Sequence, residues 1–346
     1  MYNGYSGNIL RVDLSTGAVT REPLDIQMAE DFVGGRGLAS RLLCTEIDPA
    51  VDPLGPENPL IFGTGPLTGS GAPATSRYVV VCKAPLTGTI ACSNSGGFFG
   101  PELKFAGYDF LIIQGESAEP VYLWISDRTV EIRSAEALWG EFPAATEAAL
   151  RRLTRATAKV ACIGPGGERL SLLAGVVNDG YRLAARSGVG ALMGKKKLKA
   201  IAVHGSGSVR LHDSEQFWSA TMDMHEKIAA DPVSFGSFRA YGTASLVNLI
   251  NEMGAYPTRN FQYDTFEGAA NTSGEAVVED ILQRNRACFA CPIACTRVSE
   301  VKDGPYKGRG EGPEYESIWA LGALCGVSDL AAVAKANFIC GDYGID

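Results

Sequence analysis

The sequence predicts an α+β protein: a β-rich mixed domain over residues 1–208, followed by an all-α domain over 209–346. Three observations carry this. Strand-like runs recur through the first part with few helical patterns between them, unlike a regular βαβ repeat. Near Gly205-Ser-Gly-Ser208 the character changes, and helical patterning takes over, with Ser, Thr or Asp at several starts. Glycine is over-used, at 41 of 346 residues against a typical share of about 7%. It therefore gives the chain many points where backbone turns sharply or is approached closely.

Taken in order, Asn8-Ile-Leu-Arg-Val-Asp-Leu14 reads as a strand and Ser15-Thr-Gly17 as the turn of a β-hairpin. Residues 26–46 carry helical spacing interrupted by Gly34-Gly35-Arg36-Gly37. Further strands are expected at Leu60–Gly63, Tyr78–Cys82, Phe110–Gln114, Val121–Ile125, Lys159–Ile163, Leu170–Val177 and Ala200–His204. One helix is expected at Ala144–Arg155, where Leu150, Leu153 and the alanines form a face. In the second domain, helices are expected at Ser214–Ala230, Thr243–Gly254, Ser273–Arg286, Glu314–Gly326 and Ser328–Asp342. No internal repeat is visible.

The 346 residues, 46% hydrophobic, suffice for a large core and suggest two domains. A formal charge of −8 disfavours nucleic acid and anionic membrane surfaces as partners. The run Lys195-Lys196-Lys197 with Lys199 is expected to be a solvated strand entry or loop rather than an RNA site. The opening Met1-Tyr-Asn-Gly-Tyr-Ser-Gly has no basic region or apolar run, so no signal peptide is expected. The longest apolar passage, Ile318 to Val327, is too short for a membrane span. The protein is accordingly expected to be cytoplasmic. Nine cysteines, an odd number with three in one cluster, argue for metal in a reducing compartment rather than disulfides.

That cluster is Cys288-Phe-Ala-Cys291-Pro-Ile-Ala-Cys295. Thiolates are soft ligands, and this spacing lets one short loop wrap three corners of an iron–sulfur cluster. Zinc would ordinarily bring a second Cys or His pair, whereas His204, His212 and His225 are scattered upstream. A [4Fe–4S] cluster is the favoured reading, with zinc and structural thiols as alternatives.

Four other stretches look site-like. Ser76-Arg77-Tyr78 puts an arginine at the mouth of a strand. Asn94-Ser-Gly96-Gly97-Phe-Phe-Gly-Pro101-Glu102 is a glycine-rich turn into a short helix, whose backbone N–H groups suit a phosphate. Asn178-Asp-Gly-Tyr-Arg182-Leu183-Ala-Ala-Arg186-Ser-Gly-Val-Gly190 offers two arginines beside another glycine turn. Each alone is an ordinary loop; together they point to a multiply phosphorylated cofactor. Finally, Gly312-Pro313-Glu314-Tyr-Glu316 opens a helix apolar nearly all round, expected to be buried. Glu314 reads equally as a cap or a site residue, and Glu316, deeper in, favours acid–base work. The glycine clusters do not follow the strand–GxGxxG–helix order of a dinucleotide fingerprint.

Assembled, these motifs resemble the aldehyde ferredoxin oxidoreductases, a family of tungsten–pterin enzymes. The resemblance runs from Gly7-Asn-Ile-Leu-Arg-Val-Asp-Leu to the last residue. It includes Gly65-Pro-Leu-Thr-Gly69, Gly96-Gly-Phe-Phe-Gly-Pro-Glu-Leu-Lys-Phe-Ala-Gly-Tyr-Asp109, Gly190-Ala-Leu-Met-Gly194 with Lys197-Leu-Lys-Ala-Ile201, and Cys291-Pro-Ile-Ala-Cys295. It implies two pterins holding one tungsten (or molybdenum, which binds the same pterin), a Mg2+ ion linking their phosphates, and a [4Fe–4S] cluster. By the same resemblance, Arg77 and Arg182 are cofactor-contacting arginines, and Asn94 and Leu183 offer backbone carbonyls to the Mg2+. Gly96 lies in the pterin-contacting turn, Cys288, Cys291 and Cys295 are cluster ligands, and Glu316 is the glutamate near tungsten. Gly344 and Asp346 fit a pterin-binding motif in which Gly341 stands where an Asp is expected.

The resemblance further implies oxidation of a small aldehyde to a carboxylate, with electrons passing through the cluster to ferredoxin or a ferredoxin-like subunit. A homodimer is left open. The family extends beyond Asp346, with a second motif bearing the fourth cluster cysteine and a catalytic histidine, so the helical domain is expected to be incomplete here. Cys340 is a weak candidate for the fourth ligand. Cys44, Cys82, Cys92, Cys162 and Cys325 are expected in the core. Alternatives are a benzoyl-CoA-type aromatic acyl-CoA reductase subunit of the same family, a non-catalytic chain completed by a second polypeptide, and a zinc-stabilised binding module. The substrate aldehyde is not legible.

Overall fold

The computed structural model describes residues 3–346. They divide into two compact units, residues 1–218 with 342–346, and residues 219–341.

The first unit is built on two six-stranded mixed sheets. Its strands are β1 (Asn8–Asp13), β2 (Val19–Pro23), β3 (Leu60–Thr64), β4 (Tyr78–Lys83), β5 (Ile90–Ser95), β6 (Phe110–Gln114), β7 (Val121–Ser126), β8 (Thr129–Ser134), β9 (Lys159–Cys162), β10 (Val176–Asn178), β11 (Arg182–Ala184) and β12 (Leu198–His204). The first sheet runs β2-β1-β6-β3-β4-β5 and the second β11-β10-β9-β12-β7-β8. In each, one pair is parallel, β1 with β6 and β7 with β12, and the other pairs are antiparallel.

Alternation along the strands explains the layering, since successive side chains point to opposite faces. Leu10, Phe62, Val80 and Leu111 of the first sheet join Leu123, Ala161, Ile201 and Val203 of the second in one core. The residues between them, Ile9, Ile61, Val81 and Ile112, pack under Leu38, Leu42 and Leu43 of the helix Gly35–Glu46. On the second sheet, Tyr122, Val160 and Ala202 pack under Leu150 of the helix Pro143–Leu153. Strands buried on both faces read as continuous apolar runs, which made most of them visible in sequence. The helical stretch 26–46 is broken at its glycines, into Ile26–Phe32 and Gly35–Glu46.

Several expectations are corrected. β5, β8 and β11 were not expected: β5 and β11 are edge strands rich in small or polar residues, and β8 lies mostly outside the core. Of the strand expected at Leu170–Val177, only Val176 and Val177 belong to β10, because Leu172 and Leu173 lie exposed in a turn. The lysine run is solvated only in part, at Lys195 and Lys197. Lys196 and Lys199 are fully buried, the first donating to the carbonyls of Pro56 and Gly115, the second paired with Glu168.

The second unit is mainly helical and packs Val247, Tyr256, Phe266, Val277, Ile318, Val333 and Phe338 into one core. It also holds an antiparallel sheet that the sequence reading did not anticipate, β13 (Leu282–Arg286), β14 (Thr296–Val301) and β15 (Gly308–Glu311), in the order β13-β14-β15. The all-α expectation for this part is corrected accordingly. The helix expected over Ser273–Arg286 covers only Gly274–Ala276 and a wider turn at Val277–Ile281 before the chain becomes β13. The helix after Pro313 is Tyr315–Leu321, with Glu314 at its N-cap and only Ile318 buried, so it is not the fully buried helix expected. No single helix among the described residues is long and apolar enough to cross a membrane. The pair Tyr315–Cys325 and Leu330–Tyr343 passes by length and composition only together, bent by 120°.

Candidate functional site

In the first unit, the edges of the two sheets meet where β5 contacts β11. A buried polar knot locks them. The Asn178 carboxamide oxygen accepts from the Tyr78 hydroxyl at 3.0 Å and the Ser95 hydroxyl at 2.7 Å. Its nitrogen donates to the Gly96 carbonyl at 2.9 Å and the Asp179 carboxylate at 2.7 Å. All four of the side chain's hydrogen-bonding sites are thus used. Asp179 also accepts from the Phe98 N–H at 2.7 Å. Burial, with the Asp179 charge adding to it, pushes the Tyr78 hydroxyl pKa well above the ordinary tyrosine value.

The knot revises the phosphate expectation for the Gly96–Gly97 turn. An internal carboxylate takes the Phe98 N–H at the start of the short helix Phe99–Phe105, where negative charge is favoured. Gly97, at φ 98°, is needed because a Cβ there would lie 2.1 Å from the Asp179 carboxylate. Asn178 and Asp179 stood in a quoted loop without being singled out; nothing in the sequence told that the two loops meet.

The predicted residues of this unit gather around the knot. Arg77, exposed, donates to the Asn94 carboxamide, and Asn94 lies on β5 opposite Val79. Gly96 holds Asn178 through its carbonyl. Arg182 and Leu183 of β11, both half-buried, pair in register with Asn178 and Val177 of β10. The chain's last residues return to the same unit. Gly175 N–H donates to the Gly344 carbonyl, Asp346 N–H to the Leu173 carbonyl, and the Asp346 carboxylate pairs with Arg186 at 3.2 Å. Gly164 and Gly166 are occupied by this segment: a Cβ on Gly164 would lie 2.5 Å from the Tyr343 carbonyl. These glycines serve backbone packing rather than a phosphate. Arg77, Arg182 and Arg186, cationic and at least partly exposed at the joined edges, are a donor set that fits phosphate groups.

In the second unit, the cysteine loop connects β13 to β14. Cys288, Cys291 and Cys295 are unoxidised and half-buried. Cys291 N–H donates to the Cys288 carbonyl at 3.2 Å. Ala290 and Ala294 adopt left-handed φ values of 50° and 51°, turning the chain immediately before the second and third cysteines. In kind, three unoxidised thiols on one turning loop fit a thiolate-ligated cluster. Among the described residues, however, no three His, Cys, Asp or Glu side chains converge closely enough to hold a metal ion. Drawing thiols together is work that metal binding itself performs, with release of their protons.

Glu316 lies in the first turn of the helix Tyr315–Leu321 and is exposed. Beside it, burial first and the Glu316 charge second raise the Tyr315 pKa. Glu314 accepts from the Thr243 hydroxyl, whose oxygen accepts from Tyr315 N–H at 3.0 Å. Glu314 thus occupies the N-cap position without capping through its side chain, and the Thr243 hydroxyl takes the first N–H instead. Cys340 is half-buried in the helix Leu330–Tyr343. Of the cysteines expected in the core, Cys82 and Cys162 are buried, and burial pushes both thiols up to about 12. Cys92 is half-buried. Cys44 and Cys325 are exposed, correcting that expectation: Cys44 follows the inward-facing Leu42 and Leu43 on its helix, and Cys325 ends a short 3-10 turn.

Comparison with known proteins bears on both units. Residues 9–205 match the aldehyde ferredoxin oxidoreductase N-terminal domain, and residues 219–346 match domains 2 and 3 of the same family. The chain belongs to the aldehyde ferredoxin oxidoreductase family. Relatives within it include the tungsten-containing aldehyde ferredoxin oxidoreductases of Thermococcus kodakarensis, 51% identical, and Pyrococcus furiosus, 49% identical. Each is matched over all of this chain and 57% of its own length. A third, the WOR-like subunit of an aliphatic sulfonate oxidoreductase of P. furiosus, is 30% identical over 99% of this chain and 57% of its own. Among solved structures, the active-site complex BamBC of benzoyl coenzyme A reductase with 1,5-dienoyl-CoA superposes with a TM-score of 0.87 at 29% identity. That match covers all of this chain and 54% of that one. The chain thus spans a little over half the length of these proteins, and its mixed α+β fold is shared with that solved structure.

Proposed function

We propose that this chain forms the pterin- and cluster-binding part of an oxidoreductase that converts an aldehyde to a carboxylate, with water supplying the oxygen and two electrons passing on to ferredoxin or a ferredoxin-like subunit. The observation that carries the reading is the gathering of Arg77, Asn94, Gly96, Arg182 and Leu183 around one buried knot, with Gly344 and Asp346 bonded to Gly175, Leu173 and Arg186 of the same unit, in a chain about half identical to tungsten-containing aldehyde enzymes. On this reading, residues 1–208 act as the tungstopterin-binding domain and 209–346 as the helical domain bearing the cluster motif.

When bound, the tungsten (or molybdenum) bis-pterin supplies the two-electron chemistry and Lewis acidity. The protein's work is to bind, orient and move protons. Arg77 and Arg182 would hold the pterin phosphates, and the backbone carbonyls of Asn94 and Leu183 would serve as ligands for a Mg2+ ion. Gly96, Gly344 and Asp346 would contact the pterins, Asp346 being steadied by Arg186. Cys288, Cys291 and Cys295 would hold a [4Fe–4S] cluster that carries electrons out one at a time. Glu316 would relay a proton at its carboxylate during aldehyde oxidation. A cytoplasmic location belongs to the same proposal.

The test is the native protein purified without oxygen. Stoichiometric tungsten, about four iron per chain and aldehyde-dependent dye reduction are expected. Glu316→Gln should lower kcat by about 10²-fold or more with both metals retained. A second reading, reduction of an aromatic acyl-CoA thioester, is favoured by the likeness to the benzoyl coenzyme A reductase complex. Turnover of such a thioester with no activity on any aldehyde would decide for it. Absence of tungsten and iron would refute both.

A further inference from the structure

Arg297 lies on β14, two residues beyond Cys295, and is only 1% exposed. Its guanidinium makes four hydrogen bonds, all to neutral acceptors. It donates to the Asn285 carboxamide on β13, to the carbonyls of Phe238 and Arg239 at 2.9 Å each, and to the carbonyl of Ala294 at 3.3 Å. The Nε–H is buried without a partner. Gly242 leaves room beside it, since a Cβ there would lie 3.1 Å from that nitrogen and 2.8 Å from the Cys295 carbonyl. A second arginine grips the same loop from outside: Arg239, exposed, donates to the Pro292 carbonyl at 2.5 Å.

A buried cation whose hydrogen bonds all go to neutral dipoles is costly, because desolvation is repaid only by opposite charge, and here Glu314 acts on it only through space, without an ion pair. Arginine cannot escape by losing its proton. The Cys295 thiol that would carry compensating charge as a thiolate lies two residues away, and Arg297 holds the carbonyl of the residue just before it. Ala294, whose carbonyl it holds, is the left-handed residue that turns the chain into Cys295. Once the three thiols ionise around a cluster, the loop becomes strongly negative, and reduction makes it more so.

We propose that Arg297 is the positioning residue and fixed counter-charge of the cysteine loop. It pins the turn before Cys295, and its charge stabilises the reduced cluster over the oxidised one, raising the cluster's reduction potential. This rests on the cluster reading of the cysteine loop.

The test is a redox titration of the native protein, followed by the electron paramagnetic resonance signal of the reduced cluster, with iron content measured on each sample. Arg297→Gln removes the charge. Asn285→Asp keeps an acceptor for the guanidinium but neutralises it, and carries the test should Arg297→Gln not fold. Each should shift the reduction equilibrium at least tenfold toward the oxidised form, 59 mV lower for one electron. Arg297→Lys, keeping the charge, should stay within threefold of the unmodified protein. A full iron complement with an unmoved potential in both Arg297→Gln and Asn285→Asp would overturn the proposal. So would a shift in Arg297→Lys as large as in Arg297→Gln. No [4Fe–4S] signal in the unmodified protein would instead overturn the cluster reading beneath it.

Discussion

Replacing Asn178 with alanine tests how firmly the two sheet edges are locked. The substitution removes two acceptor bonds, from Tyr78 and Ser95, and two donor bonds, to Gly96 and Asp179. Asp179 keeps its bond from Phe98 N–H. The Tyr78 hydroxyl, on a fully buried side chain, and the Gly96 carbonyl are left without these partners, and Ser95 is 3% exposed. Each buried polar group left unsatisfied costs about 1–3 kcal/mol. Ser95, already 3.5 Å from the Gly96 carbonyl, can turn toward it and recover part of one bond. A net loss of about 3–4 kcal/mol follows, a large share of a typical stability of about 5–15 kcal/mol. Urea unfolding followed by near-ultraviolet circular dichroism should show the midpoint falling by about 1 M or more at unchanged slope. Asn178→Asp should be worse still, and worse at pH 8 than at pH 5, because it sets a second carboxylate against Asp179. A midpoint shift worth less than about 1 kcal/mol would refute the claim that this side chain locks the edges.

Two further outcomes follow from packing and charge. Gly164→Ala should lift the segment that ends in Asp346, because its Cβ meets the Tyr343 carbonyl at 2.5 Å. Amide exchange at Gly175 and Asp346, whose N–H groups bond to that segment and its neighbour, should rise at least tenfold, and unchanged exchange would contradict the docking. Lys196 is held by burial at about 8, below its ordinary 10.5, against the pull of Cys82 and nearby carboxylates. The unfolded chain therefore holds the extra proton between about 8 and 10.5, and this group's contribution to stability rises with pH across that window. Cys82, whose thiol burial pushes up to about 12, acts in the opposite sense above its unfolded value. The comparison with Lys196→Met isolates the lysine: the variant's advantage should be greatest near pH 7 and shrink by pH 10, and a constant difference would refute it.

Much of the fold was legible because strands buried on both faces leave long apolar runs, as at Tyr78–Lys83 and Phe110–Gln114. What escaped had no such signature. β13, Leu-Gln-Arg-Asn-Arg, is mostly exposed and follows a helical start without a glycine or proline to mark the change. The lysines at 196 and 199 looked solvated because charge in sequence says nothing of backbone carbonyls waiting for them in space.

The sequence alone determined the family, the loops that carry the cysteines and arginines, and the residue types able to hold thiolate-bound metal and phosphate, because those are properties of side-chain chemistry and local spacing. Only the tertiary structure decided that Asn178 and Asp179 fill the turn once read as open to phosphate, that Gly164 receives the returning chain, and that Arg297 is buried with only neutral hydrogen-bond acceptors. The physical reason is that a polar group's meaning depends on what satisfies it, and the partners of Asn178 lie as much as 100 residues away along the chain.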